Sequence, residues 1–448
     1  MITLRNIKRA HRATLAGIAV FTCSLVSAPA IAGGLFAYEV GTEDVGLAAA
    51  GYAARAQDAT TVLTNPAGMT RLDGQQIQLG TQLLYSNLKF SIGAGTDTRP
   101  SPFGLGTGDG GYAAGMNGWF PGGGFFYSYS VSPDLKLGFA STRNFRASRK
   151  YDENWVGRYH VQQAAIVGAS FLPSIAFRVN DQFSIGASVN AMYGYFKSVT
   201  AVNNILPGFA DGKLVLRDTT WGWGGNLGVL YEPSRDTRFG LTYSSQVKLD
   251  FSSPAQFSGI APGLNALLTA RGLLNAPVNL NFTVPQQVMG SFLHKVDDRW
   301  TLLGNVGWQQ WSKFGQIEVS IDSSNPVGVT TNVPFKDTWH AALGAQYRMS
   351  EPWRLNFGVA YDSGFQPNSG NVSPILPANS AWRFGVGAQN QVDKTFSWGV
   401  AGEYVSGGTL DVNSQGNVPV VVGGRGNLVG SYNNIGTFFM SANFNWKF

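Results

Sequence analysis

Strict alternation of apolar and polar side chains is the feature that most limits what this chain can become. At its end, Phe438, Met440, Ala442, Phe444, Trp446 and Phe448 share one parity, while Phe439, Ser441, Asn443, Asn445 and Lys447 hold the other. Trp353, Leu355, Phe357, Val359 and Tyr361 alternate in the same way with Arg354, Asn356, Gly358, Ala360 and Asp362. Phe396, Trp398, Val400 and Tyr404 stand against Thr395, Ser397, Gly399 and Glu403. Successive strand side chains point to opposite faces, so one parity can meet an apolar medium and the other a polar one. No run of 18 or more apolar residues follows Gly33, which excludes spanning helices. Only 13% of the chain is charged, well below the usual quarter of a soluble domain. A large soluble sandwich or propeller fits that poorly. A transmembrane barrel, with one face to lipid and one to a lumen, fits it well.

Punctuation between the strands gives their number. Turn residues cluster tightly at Ser132-Pro133-Asp134, Asn180-Asp181, Pro233-Ser234-Arg235, Asp297-Asp298, Ser350-Glu351-Pro352 and Asp393-Lys394. Longer connections rich in Gly, Pro, Ser and Asn fall at 93–119, 149–162, 201–212, 253–278, 324–331, 367–378 and 411–430. Short and long alternate strictly, as in a barrel with short periplasmic turns and long outer loops. The fold class predicted is all-β: a 14-stranded antiparallel transmembrane β-barrel. Its strands should begin near Gln75, Phe120, Leu135, Gln163, Gln182, Lys213, Asp236, Asn279, Arg299, Asn332, Trp353, Asn379, Thr395 and Ser431.

The first residues read as an address. Arg5, Lys8, Arg9 and Arg12 precede an apolar run from Leu15 to Val26, and Ala30-Ile31-Ala32 matches a small-residue cleavage site. Removing residues 1–32 removes four of the charges behind the net +6, leaving 28 basic against 26 acidic residues, so no nucleic-acid partner is implied. It also removes Cys23, the only cysteine. Residues 33–74 are rich in Ala and Gly and too small-sided to build a core of their own. A fourteen-stranded wall encloses more space than its side chains fill, so this segment is expected to plug the lumen of a barrel spanning 75–448. Within it Asn65, Pro66 and Ala67 should form a sharp turn.

That segment resembles the hatch of the FadL family of outer-membrane transporters, through Gly46-Leu47, Ala56, Asp58-Ala59, Asn65-Pro66-Ala67 and Thr70. Further similarity runs along the barrel at Gly222-Trp223-Gly224, Asn226 through Glu232, Leu241-Thr242-Tyr243, Gln246 through Phe251, Val284-Pro285, Trp300, Trp308, Trp311 through Phe314, Phe335-Lys336-Asp337, Ala342-Leu343-Gly344 and Trp353 through Asp362. The resemblance implies passive uptake of hydrophobic small molecules, long-chain fatty acids first, across the outer membrane of a Gram-negative bacterium. It implies an apolar outer groove, a site inside the barrel, and an exit controlled by the hatch and by an inward kink in a wall strand. Outer-membrane lipid, lipopolysaccharide and the barrel-assembly machinery are the partners implied beside the ligand.

The groove is expected in two outer loops: Ile205, Leu206 and Phe209 in one, and Leu264, Leu267, Leu268, Leu273 and Leu274 in the other. Leu264, Leu267 and Leu268 have the i, i+3, i+4 spacing of one helical face. Fatty-acid members of the family can set basic groups at the carboxylate. The corresponding places here are Thr200 and Thr331, with Lys197 and Lys336 nearby as candidate carboxylate partners. Uncharged residues there leave neutral aromatic hydrocarbons as alternative cargo. No cofactor or metal is expected and no catalysis. Gly106-Thr107-Gly108-Asp109-Gly110-Gly111 matches GxGxxG but sits in a long loop with no following helix, and His160, His294 and His340 are far apart. An outer-membrane lipase or adhesin is the alternative of another class.

Overall fold

The computed structural model describes residues 38–97, 118–204, 209–319, 330–332, 334–416, 419–420 and 424–448. The expected signal segment, the glycine motif at 106–111, Ile205 and Leu206 lie outside them.

Residues 38–74 form a compact plug of short helical pieces: α1 (Thr42–Gly46), α2 (Thr61–Thr64) and a 3-10 turn at Pro66–Arg71. The wall follows. β1 (Gln75–Ile92), β2 (Gly118–Ser130), β3 (Leu135–Lys150), β4 (Gln163–Arg178), β5 (Phe183–Val202), β6 (Gly212–Tyr231) and β7 (Thr237–Ser244) are neighbours in chain order. β8 (Val247–Pro254) and β9 (Gln256–Ser258) lead to a helix, α3 (Pro262–Ala270). β10 (Pro277–Val284) returns from it, and β11 (Gln287–Lys295) and β12 (Trp300–Gln309) re-enter the wall. A small pair, β13 (Gln316–Val319) and β14 (Thr330–Asn332), precedes β15 (Thr338–Arg348), β16 (Trp353–Asp362), β17 (Ala381–Gln391), β18 (Phe396–Ser414) and β19 (Leu428–Lys447). β19 pairs with β1, from Gln76 opposite Lys447 outward, and closes the barrel. Leaving out β8, β9, β10, β13 and β14, the wall has fourteen strands.

Side-chain chemistry explains the closure. Tyr361 meets Trp382 at 5.2 Å and Tyr404 meets Phe438 at 4.6 Å in an outer aromatic girdle. Trp300 and Tyr347, at 4.6 Å, and Trp353 and Trp398, at 5.6 Å, belong to the girdle at the short-turn end. Leu343, Val386 and Val306 are exposed between them. From Trp353 to Tyr361 the strand climbs about 26 Å, which at the usual tilt gives an apolar band of roughly 20 Å, close to that of outer-membrane barrels. The short turns are held by their own side chains: Asp297 accepts from the amides of Arg299 and Trp300, and Asp393 from those of Thr395 and Phe396.

Three departures from the alternating pattern matter. Two expected wall strands each break in two, at Ser245-Gln246 and at Pro285-Gln286. The outer halves β8 and β10 pair with each other, as a separate two-stranded sheet. The connection expected at 324–331 runs from Gln310 to Asp337 instead. Trp311 and Phe314 turn into an apolar cluster there, and Gly315 takes φ +100. Finally, β3 carries a bulge between Thr142 and Phe145.

Candidate functional site

The lumen is stacked in layers, and the plug is the innermost. Its backbone touches the wall where the wall has no side chain. A Cβ added at Gly186 would lie 2.4 Å from the Ala67 nitrogen, and one at Gly385 would lie 2.3 Å from the Val45 oxygen. Asn65 caps the 3-10 turn by accepting from the Ala67 amide at 3.1 Å, and its Nδ2 donates to Ala53 O at 2.6 Å and, across to β6, Val229 O at 3.0 Å. Pro66 occupies the first position of that turn, where its missing N–H costs nothing.

Charge fastens the plug as well. Arg383 on β17 is fully buried and contacts Glu39 of the plug, Asp362 on β16 and, at 3.2 Å, Glu403 on β18. His340 Nδ1 lies 2.6 Å from Asp362 Oδ1. Glu43 joins Arg354 of the wall to Arg55 of the plug, and Arg55 also pairs with Asp44 at 2.6 Å. Asn305 donates to Ala49 O at 2.8 Å and Ser291 accepts from Ala53 N at 3.0 Å. Below, at the short-turn end, a polar vestibule of about 880 Å³ opens among Asp58, Arg71, Arg238, Arg354, Lys394 and Lys447.

Above the plug comes a thin polar layer with a void of only about 20 Å³. Asn144, Asn190, Asn226, Thr242, Ser244 and Gln287 line it with Tyr52 and Leu63 of the plug. Above that again, the outer third of the barrel is an apolar compartment filled by its own side chains. Phe196, Phe251, Phe282 and Phe314 follow one another at 5.7, 5.8 and 5.6 Å. Trp311 stacks on Phe365 at 5.3 Å, and Tyr151 on Trp155 at 3.9 Å. The β8–β10 hairpin roofs this compartment. Val247, Leu249, Phe251, Leu280 and Phe282 face inward while Lys248, Asp250, Asn279 and Asn281 face out.

The expected groove residues of the second loop meet at this roof. Leu264 and Leu268 of α3 are buried in the compartment, and Leu267, Leu273 and Leu274 pack against it half-buried. Their apolar face is thus turned down into the barrel rather than displayed to the medium. Phe209 is 42% exposed. Lys197 shares the outward face of β5 with Tyr193 and Tyr195, opposite the buried Phe196 and Thr200, and so points away from the lumen. Lys336 is exposed, while its neighbour Phe335 enters the compartment. Neither lysine reaches the apolar space. His160 sits in the loop after β3, buried, with Nε2 3.1 Å from Gly426 O; burial and the nearby Arg425 push its pKa down to about 3. His294 bonds Thr237 at 2.9 Å on the outside of the barrel. The three histidines do not converge.

Sequence reasoning left open where a wall strand would kink. β2 pairs with β3 only from Ser130 to Gly124, opposite Lys136 to Thr142. Beyond that, β2 keeps its bonds to β1, and β3 keeps its bonds to β4. The two strands part, leaving a gap in the wall's hydrogen-bond ladder beside the apolar compartment. The signal was present in Pro121-Gly122-Gly123-Gly124: a residue without an N–H, then three without side chains. Phe145 and Ala147 of β3 belong to the compartment, so the gap opens from it.

A family model for outer membrane protein transport proteins (OMPP1/FadL/TodX) matches residues 23–448. The long-chain fatty acid transport protein of Escherichia coli K12 is 25% identical over 421 residues, covering 87% of this chain and 91% of that one. Outer membrane protein P1 of Haemophilus influenzae is 25% identical over 401 residues, covering 82% and 85%. The solved structure of a Pseudomonas aeruginosa FadL homologue superposes with a TM-score of 0.79 at 21% identity, covering 93% of this chain and all of that one. The Pseudomonas putida toluene transporter TodX gives 0.63 at 14% identity, covering 91% and 98%. Closed fourteen-stranded wall, lumenal plug and a match over nearly the whole length agree: this chain belongs to the OMPP1/FadL/TodX family of outer-membrane transport proteins.

Proposed function

We propose that this protein is a passive outer-membrane channel for hydrophobic small molecules, long-chain fatty acids above all. The observation that carries the reading is an apolar compartment roofed by the outer loops and bordered by a gap in the wall. Each methylene moved from water into such a space gains about 0.8 kcal/mol. A chain of about sixteen carbons therefore enters on weak contacts alone, with no energy source. Going straight down is unfavourable for it, because the polar layer and the ion-paired plug lie below. Sideways, through the gap between β2 and β3, the chain passes from apolar side chains into lipid. Residues 38–74 act as the hatch, and Asn65, Pro66 and Ala67 keep it in shape. Phe209 and the leucines of 264–274 make the outer groove when the roof lifts. The protein works among outer-membrane lipid and lipopolysaccharide, to which barrel-assembly machinery delivers it.

Neutral aromatic hydrocarbons are the second reading. It is favoured by the placement of Lys197 and Lys336, which leaves the apolar space without either lysine. Uptake by cells with and without the gene, on oleate or toluene as sole carbon source, separates the two. Growth on oleate should depend on the gene. Purified protein that bound neither oleate nor toluene saturably would sink both readings.

A further inference from the structure

The bulge in β3 changes which side chains face the gap. Thr142 pairs with Ser170 and Phe145 with Gly168, so three steps on β3 match two on β4. One extra residue reverses the alternation. Below the bulge Lys136, Ala140 and Thr142 face inward; above it Phe145 and Ala147 do, in the apolar compartment. Arg146 therefore leaves β3 on the side opposite Phe145, where the strand has already bent away from β2. It does not reach water. It is 3% exposed, and its guanidinium lies beneath the inner face of β2, where a Cβ at Gly122 would come within 2.6 Å of Nη1.

Nothing among the described residues answers its charge. Among those residues its Nε has no hydrogen-bond partner and no carboxylate forms an ion pair with it. The charge that acts on it among the described residues is another cation, Arg143. Three residues on, Arg149 faces the lumen and is equally buried. Its Nη1 donates to the Ser148 carbonyl at 3.1 Å and its Nε has no partner. The other buried arginines among the described residues, Arg55, Arg158, Arg238 and Arg383, each have a carboxylate within 4 Å, that of Arg238 being Glu232 at 3.9 Å. A buried, unpaired cation is costly, and that cost is met when an anion arrives. A guanidinium is suited to take a carboxylate through two parallel bonds.

We propose that Arg146 is the carboxylate-recognising residue of the wall opening, making that exit selective for ionised long-chain acids over neutral molecules of the same length. The acyl chain lies in the apolar compartment and the head group passes Arg149 to Arg146 between β2 and β3. This rests on the lateral-exit reading above.

The test compares uptake of labelled oleate and of labelled oleyl alcohol by cells expressing the full chain, with assembly checked by heat-modifiable migration. Arg146→Gln should lower initial oleate uptake about tenfold, the scale of a lost charge-assisted bond, and leave oleyl alcohol within about twofold. Arg146→Lys should recover much of the difference, and Arg146→Met, which keeps the bulk, should behave as Arg146→Gln. Equilibrium binding of oleate to the purified Arg146→Gln protein should persist, because the compartment is intact. An unchanged ratio of oleate to oleyl alcohol uptake in both neutral variants overturns the proposal while the wild type still transports. A wild type that takes up neither compound overturns the transport reading itself.

Discussion

Asn65 ties the plug both to itself and to the wall. Its oxygen caps the turn at Pro66–Arg71, and its amide nitrogen reaches back to Ala53 and across to Val229. A cap is worth about 1 kcal/mol and each further bond of this kind about the same. Asn65→Ala should therefore loosen the plug by roughly 2–3 kcal/mol while the barrel still assembles. Hydrogen exchange across residues 61–72 should speed up, with β15 to β17 unchanged. Asn65→Asp keeps the capping oxygen but sets a carboxylate oxygen against the Ala53 and Val229 carbonyls, so it should loosen the plug at least as much as Asn65→Ala. Equal protection in all three proteins would mean that Asn65 holds nothing. The turn itself was readable, since an Asn before a Pro has local reasons to start one. Its partner Val229 was not, because that contact joins positions 164 apart.

At the scale of elements, alternation located the strands but not their paths. Val247, Leu249 and Phe251 continue the pattern of Phe239, Leu241 and Tyr243, so the sequence reads as one strand from Asp236. Only Ser245-Gln246 and Pro285 mark where β8 and β10 leave the wall to roof the barrel. Whether an alternating strand faces lipid or a roofed compartment depends on what stands opposite, and that is not local. The bulge in β3 was hidden for the same reason, since one extra residue shows only against its partner strand. The roof depends on Gly222 of β6. A Cβ there would lie 2.4 Å from the Lys248 oxygen, backbone that cannot swing aside. Gly222→Val should push β8 off the barrel and uncover the aromatic compartment. Binding of a solvatochromic apolar dye should rise several-fold, with heat-modifiable migration retained. Gly290→Ala is the control, because its Cβ would meet nothing closer than 4.0 Å. Dye binding that rose equally in both would point to general loosening instead.

Taken whole, the molecule is closed at its outer end by loops that must separate before cargo enters, and the strength of that closure should depend on pH. His160 joins the loop after β3 to the segment before β19 through the Gly426 carbonyl, and it is buried as the neutral ring. Burial first, and Arg425 second, lower its pKa to about 3, against about 6.5 when the loop is free in water. Between those values the released loop binds a proton that the seated loop does not. Closure is thus complete above pH 6.5 and weakens as pH falls toward 3, by about 1.4 kcal/mol per unit at most. Amides of residues 155–162 should open up to about tenfold more often for each unit below 6.5. Comparison with His160→Gln at each pH cancels the intrinsic pH dependence of exchange. That variant cannot take up the proton, so its opening should stay level from pH 7.5 to 5. Matching pH profiles in the two proteins would mean that the acid sensitivity of the outer closure lies in some other group.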